Sequence, residues 1–303
     1  MTQPAEGIAQ ALRKEAYLAD QGLATVLSVA LRLRKPLLLE GEAGVGKTEV
    51  AKALAGVLGA RLIRLQCYEG IDVAHALYDW DYARQMLYIR TLEAAHAATP
   101  RAIDQLFGAE FLVRRPLLEA IDNDDETPPV LLIDEMDRAD DEFEAFLLEL
   151  LSDFQVTVPE LGTLRARRRP VVLLTSNRTR DLHDALKRRC LYHWIGHPSL
   201  EREIAIVTLR VPEASERLAR QAAAFVAAVR GLEVAKAPGV AETIDWVDAL
   251  VALGEDELSP DVVDDTLGAL IKYQEDLERV RDSNVPDLVM AARGPGAAGR
   301  HAR

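Results

Sequence analysis

One eight-residue run constrains this chain more than anything else in it: Gly41-Glu42-Ala43-Gly44-Val45-Gly46-Lys47-Thr48. The apolar run Pro36-Leu37-Leu38-Leu39-Glu40 precedes it, and Glu49-Val50-Ala51-Lys52-Ala53-Leu54-Ala55 resumes helical spacing after it, so the order is strand, glycine-rich loop, helix. The run satisfies G-x-x-x-x-G-K-[ST] at every required position, with a third glycine at Gly44. Glycines at these places let the backbone curl until successive N–H groups converge on an anion, at the positive end of the helix that begins near Lys47. The ligand this chemistry predicts is ATP with Mg²⁺. The backbone from Gly41 to Gly46 would cradle the phosphates, with Glu42, Ala43 and Val45 as the intervening positions. Lys47 would reach the β- and γ-phosphates, the Thr48 hydroxyl would ligate Mg²⁺, and Glu49 belongs to the same binding segment.

A second run, Val130-Leu131-Leu132-Ile133, is continuously apolar, as expected of a central strand covered on both faces, and it ends in Asp134-Glu135. The carboxyl ends of strands are where open α/β sheets meet ligands. Asp134 is placed to hold Mg²⁺ with its water shell, and Glu135 to orient and deprotonate an attacking water. Val171 to Thr175 is a third such strand and Arg61-Leu62-Ile63-Arg64-Leu65 a fourth. Thr175-Ser176-Asn177 puts an amide at a strand end, where Asn177 could sense the γ-phosphate; an ordinary turn asparagine is the alternative. Arg188-Arg189 is a basic pair that could be a solvated face or, in a ring of subunits, an arginine finger reaching a neighbour's ATP. His183, Cys190, His193 and His197 lie close in sequence but match no standard metal-ligand spacing. Cys67, Trp80, Trp194 and Trp246 read as packing residues.

Composition narrows the partners. With 36 Lys+Arg against 49 Asp+Glu, the chain carries −13 at pH 7 and repels phosphate backbones unless a basic groove is hidden within it. Nucleic acid is therefore disfavoured as a partner. There is no apolar run of the roughly 18 to 20 residues needed to span a bilayer, and no signal-peptide pattern at Met1-Thr2-Gln3-Pro4-Ala5-Glu6, so the expected location is cytoplasmic. Two distant cysteines, Cys67 and Cys190, fit a reduced compartment.

Strands alternating with helices predict an α/β core, three-layer αβα with a mainly parallel sheet, over residues 1–197. Beyond Pro198 the segments 201–209, 214–232, 241–253 and 260–280 carry helix formers and no strand-like run, which predicts a small all-α domain over 198–282. Residues 283–303, with Gly294-Pro295-Gly296-Ala297-Ala298-Gly299, are expected to be disordered.

Taken together, the phosphate loop, Asp134-Glu135, Asn177 and Arg188-Arg189, in that order and ahead of a helical region, resemble an AAA+ ATPase of the P-loop NTPase class. Within that class the chain resembles the MoxR group, on Ile133-Asp134-Glu135-Met136-Asp137-Arg138-Ala139 and on Asp153-Phe154-Gln155-Val156-Thr157-Val158-Pro159, which is similar to the hairpin before the sensor strand. Leu65-Gln66-Cys67-Tyr68-Glu69-Gly70-Ile71-Asp72 and the stretch from Ala185 to Trp194 look closest to CoxD-type members, which accompany molybdenum hydroxylases such as carbon monoxide dehydrogenase.

The resemblance implies a hexameric ring with ATP bound between subunits, Asn177 as sensor 1, and a helical lid. It also implies a von Willebrand A domain partner and a client metalloenzyme, with hydrolysis coupled to remodelling or metal-centre maturation. Arg189 matches the family finger better than Arg188, but its flanking residues depart from the usual Asp-Arg-Phe, so both arginines stay in view. Against the family pattern there are two further departures: Gly239-Val240-Ala241-Glu242-Thr243-Ile244-Asp245-Trp246 offers no sensor-2 arginine, and residues 74–112 are longer than the usual insertion in the second helix. The alternative within the class is a nucleic-acid motor or loader, with the arginines between Arg165 and Arg169 as a basic pore loop.

Overall fold

The structure, a computed structural model, describes residues 5–95, 99, 105–159 and 161–294. The chain forms two compact units. The first comprises Met1–Glu15, Ala19–Glu40 and Lys47–Trp194, and the second Ala16–Leu18, Gly41–Gly46 and Ile195–Arg303. After the sheet the two units divide at 194/195, and Gly41–Gly46 groups with the second unit.

In the first unit the elements are α1 (Ala5–Lys14), α2 (Gln21–Leu33), β1 (Leu37–Gly41), α3 (Lys47–Leu58), β2 (Leu62–Gln66), α4 (Val73–Ala76), β3 (Tyr78–Trp80), α5 (Tyr82–Ala94) and β4 (Leu112–Arg114). They continue with α6 (Pro116–Ile121), β5 (Val130–Asp134), α7 (Asp141–Asp153), β6 (Gln155–Val158), β7 (Gly162–Arg165), β8 (Val171–Ser176), α8 (Asp184–Arg189) and β9 (Leu191–Ile195). The central sheet has the order β2-β5-β8-β1-β9, with β2·β5, β5·β8 and β8·β1 parallel.

Every residue of β1 and β5 is buried, which is why those strands read as unbroken apolar runs. At the sheet edge β2 alternates instead, with Ile63 and Leu65 inside and Arg64 outside. The register pairs Gln66 with Asp134, Ile133 with Leu174 and Leu39 with Thr175, so the carboxyl ends of β1, β2, β5 and β8 come level. Helix α7 starts where the Asp140 carboxylate accepts from Phe143 N at 2.8 Å, and Asp141, Glu142 and Glu144 face the positive helix end. The long segment expected at 74–112 contains most of α4, β3 and α5 and reaches into β4, which pairs antiparallel with β3; its residues 96–98 and 100–104 lie outside the described ones. Trp194, expected to pack, is 42% exposed on β9.

The second unit contains α9 (Leu200–Arg210), α10 (Glu216–Arg230), α11 (Val240–Ala252), α12 (Pro260–Leu270), α13 (Gln274–Asp282) and α14 (Val285–Arg293). Ser199, Ser215 and Ser259 cap α9, α10 and α12 by accepting from backbone N–H groups of the first turns. Phe225 and Trp246 form its centre, 5.4 Å apart between ring centroids and fully buried. Two expectations change here. The single helix expected over 260–280 breaks at Ile271–Tyr273, where Ile271 (φ −108°, ψ 130°) and Tyr273 (φ −118°, ψ 132°) are extended and Ile271 is buried. The segment expected to be disordered from 283 instead forms α14, whose Val285 and Val289, one turn apart, pack into this core. Residues 295–303 of that expectation lie outside the described residues. No helix among the described residues is long and apolar enough to cross a membrane.

Candidate functional site

In the first unit the acidic pair sits at the carboxyl end of β5. Asp134 is almost fully buried, and three groups converge on it. The Thr48 hydroxyl, in the first turn of α3, lies 3.2 Å from both Asp134 carboxylate oxygens. The Thr175 hydroxyl donates to Asp134 Oδ1 and accepts from Glu135 N at 3.0 Å. One hydroxyl on β8 thus fixes both acids, using its single proton and a lone pair. From β2, Arg64 donates to Asp134 Oδ2 through Nε at 2.9 Å and Nη2 at 2.6 Å, a charge-assisted contact. The register of β2, β5 and β8 makes these contacts, and no local spacing in the sequence announces them.

Glu135 leaves the strand in the left-handed conformation, φ 56°, and its Oε2 lies 3.2 Å from Arg138 Nη1. Two residues on, the buried Asp137 accepts from Asn177 N at 3.1 Å, Thr179 N at 2.9 Å and Thr179 Oγ1 at 2.6 Å. Burial by itself raises the Asp137 pKa, but the Thr179 hydroxyl and the two backbone amides outweigh it and hold the carboxyl below its ordinary value. Asp137 therefore clamps the turn carrying Asn177 to the turn carrying Glu135, and the Asn177 side chain is left with no hydrogen bond among the described residues. Beside them Cys67 is fully buried, its thiol pushed up to about 12 by burial and then by Asp134 and Glu135. That suits a packing residue and not a nucleophile.

Glu144 on α7 is completely buried and accepts from Arg180 and, at 2.8 Å, from His183 N, which fixes the start of α8. Both arginines at the end of α8 are exposed. Arg189 donates to Leu148 O at 2.5 Å, whereas the Arg188 guanidinium has no partner among the described residues. Among the described residues no three His, Cys, Asp or Glu side chains converge as metal ligands, and His183, Cys190 and His193 of the first unit form no such group.

In the second unit the loop Gly41–Gly46 meets the start of α11. Gly44 (φ +75°) accepts through its carbonyl from Ala241 N at 3.1 Å. A Cβ on Gly239 would lie 2.7 Å from Gly44 Cα, so the backbones touch at a place where only glycine fits. Gly46 also has positive φ, +91°. Glu42 Oε2 is 2.9 Å from His197 Nε2. The turn before α11 is held from behind: Arg230 donates to Pro238 O at 2.7 Å and forms a buried ion pair with Glu203 at 2.5 Å, and the Thr243 hydroxyl donates to Glu203 Oε1 at 2.7 Å. The lack of an arginine in this turn is visible in sequence, but the network behind the turn is not.

Ala43 and Val45 contribute backbone to the same loop, and Lys47, the first residue of α3, is buried together with Val50. Glu49 lies on the outer side of α3, 2.5 Å from Lys52 Nζ. The Mg²⁺ expected from the sequence fits this donor set, because a hydroxyl and a buried carboxylate, both hard oxygen donors, already meet at Thr48 and Asp134.

A parallel sheet in the order β2-β5-β8-β1-β9, a P-loop between β1 and α3, acids at the end of β5 and an all-α unit after the sheet define an AAA+ fold of the P-loop class. Residues 36–190, just over half of the chain, match the AAA domain of the dynein-related subfamily. The chain belongs to that family. Midasin of Giardia intestinalis is 35% identical over 74 residues, which are 23% of this chain and only 2% of midasin. Among solved structures, one point variant of Thermotoga maritima RuvB is 18% identical with a TM-score of 0.48, over 83% of this chain and 69% of that one. A second point variant of the same protein is 17% identical with a TM-score of 0.47, over 87% and 69%.

Proposed function

We propose that the chain hydrolyses ATP and works as a ring-forming, MoxR-type AAA+ ATPase, CoxD-like, that remodels a client protein or helps mature its metal centre. The observation that carries the ATPase reading is the contact of Thr48 with Asp134, each belonging to a motif recognised separately in the sequence. In this reading the backbone from Gly41 to Gly46, with Lys47, holds the triphosphate, and Thr48 and Asp134 hold Mg²⁺. Bound there, Mg²⁺ supplies neutralisation of phosphate charge. Glu135 takes the proton of the water that attacks the γ-phosphorus, and ADP leaves with the electrons of the broken P–O bond. Asn177, whose side-chain amide has no partner among the described residues, orients that water from just beyond the end of β8. An arginine of the neighbouring subunit stabilises the transferred group. The Arg188 guanidinium has no partner among the described residues, and Arg189, which matches the family position, would have to release Leu148 O.

The ring, its hexameric size, a von Willebrand A domain partner and a client metalloenzyme all rest on the MoxR resemblance. The test is light scattering of Glu135→Gln with and without Mg·ATP. The expected outcome is ATP bound without turnover and a shift to a closed oligomer. A monomer that binds ATP overturns the ring and the finger but leaves the phosphate site standing.

A further inference from the structure

The nucleotide reading leaves unused the arginine-rich run Arg165-Ala166-Arg167-Arg168-Arg169, a concentration of positive charge in a chain of net −13. These residues do not sit at the tip of the β6–β7 hairpin. They end β7 and lead into β8, and they line a groove of about 500 Å³ at the amino ends of β1, β5 and β8, the opposite end of the sheet from Asp134. Arg34 and Lys35, between α2 and β1, line the same groove. Arg34 is presented there by its own left-handed backbone, φ 52°, which ends α2.

Charge in this groove divides in two. Arg167 pairs with the Asp124 carboxylate at 2.5 Å, and Arg168 is held by the backbone carbonyls of Asp125 and Glu126, so both side chains on that rim are already engaged by the loop 122–126. Arg34, Lys35 and Arg165 are exposed and have no side-chain partner among the described residues, and Arg169 has only the face of Phe154, 5.1 Å from its ring centroid. Between these cations the floor is apolar, with Leu31, the buried Phe154 and prolines. Among the described residues none of these four cations has a carboxylate partner, in a chain that carries 49 Asp and Glu.

We infer that this groove is a docking site for a short acidic peptide segment of a protein partner, its carboxylates taken by Arg34, Lys35, Arg165 and Arg169 and an apolar side chain set against Leu31 and Phe154. Guanidinium forks suit carboxylate and phosphate alike, so the surroundings decide between them. The acidic loop borders the groove, and the chain as a whole is negative, so an extended phosphate backbone is repelled beyond the groove, whereas a short segment contacts only the cationic part. The groove's volume lies in the range that encloses a small ligand, and its mixed lining matches a peptide of acids and apolar residues.

The experiment measures fluorescence anisotropy of the full chain with a labelled pool of octapeptides carrying Asp or Glu at six positions and Leu or Phe at two, against a twelve-nucleotide oligothymidylate. The buffer holds about 50 mM salt, where charge contacts are little screened. The expected result is saturable peptide binding that weakens with salt and falls roughly tenfold or more in Arg165→Glu/Arg169→Glu and in Arg34→Glu, with ATP turnover and melting temperature unchanged. Three results each overturn the inference: no peptide binding up to about 1 mM, the weakest affinity worth calling specific; equal binding by the variants; or tighter binding of the oligonucleotide, which would make the groove a nucleic-acid site.

Discussion

The two ends of the central sheet handle charge in opposite ways. At the carboxyl ends of the strands a buried acid, Asp134, is surrounded by two hydroxyls and an arginine, and a second, Asp137, by two amides and a hydroxyl. At the amino ends Arg34, Lys35, Arg165 and Arg169 face a groove and have no carboxylate partner among the described residues. The first arrangement is preorganised, because every lone pair that matters is already oriented and a ligand meets fixed dipoles. The second is open, because exposed guanidinium groups and a lysine are held only by their stems and adapt to what binds. A fixed site suits one chemistry repeated many times, and an adaptable one suits recognition.

That contrast breaks most sharply at the proposed reacting acid, Glu135, and the proposed phosphate lysine, Lys47. Lys47→Ala should abolish measurable ATP binding, and Glu135→Gln should retain binding while turnover falls by about 10²–10⁴, the usual worth of a general base; isothermal titration and a phosphate-release assay separate the two. Next comes Thr175→Val, which removes one hydroxyl and leaves Asp134 Oδ1 and Glu135 N each short of a partner. It should cost about 1–3 kcal/mol in thermal unfolding and lower turnover more than ATP affinity. Survival of full activity would mean that the hydroxyl holds nothing of consequence.

Asp137 gives a smaller, pH-dependent effect. Its folded pKa is depressed, so its contribution to stability is present above the unfolded carboxylate value of about 3.9 and is lost as pH falls through the lower folded value. Asp137→Asn should flatten that acid limb of the melting temperature, and an unchanged limb would place the clamp elsewhere. The smallest effect is expected at the other end of the sheet. Arg165→Ala should shift stability by no more than about 0.5 kcal/mol and leave turnover alone, since its side chain is exposed and pairs with nothing among the described residues.

Much of the candidate site was legible in sequence because its parts are local. The turn Gly41–Thr48 needs glycine at fixed offsets, and an unbroken apolar strand ending in Asp134-Glu135 advertises both its burial and its exit. Thr175, Arg64 and Asp137 were not legible as parts of the site, because each acts through a partner about 40 to 70 positions away that only sheet register brings near. Helix α14 was obscured by the glycines that follow it, which dominate the composition of the tail although Val285 and Val289 are spaced to pack.

By itself the sequence determined the class of this protein: alternating strands and helices, a phosphate loop and an acid pair, all properties of short contiguous segments whose backbone demands are set within a few residues. Tertiary structure alone decided that Thr175 holds both acids, that the glycine loop rests on the start of α11, and that Arg34 and Lys35 join the arginines after β7 around one groove. Each of these depends on distances between residues remote in the chain, which are fixed by strand order and packing and by no local preference.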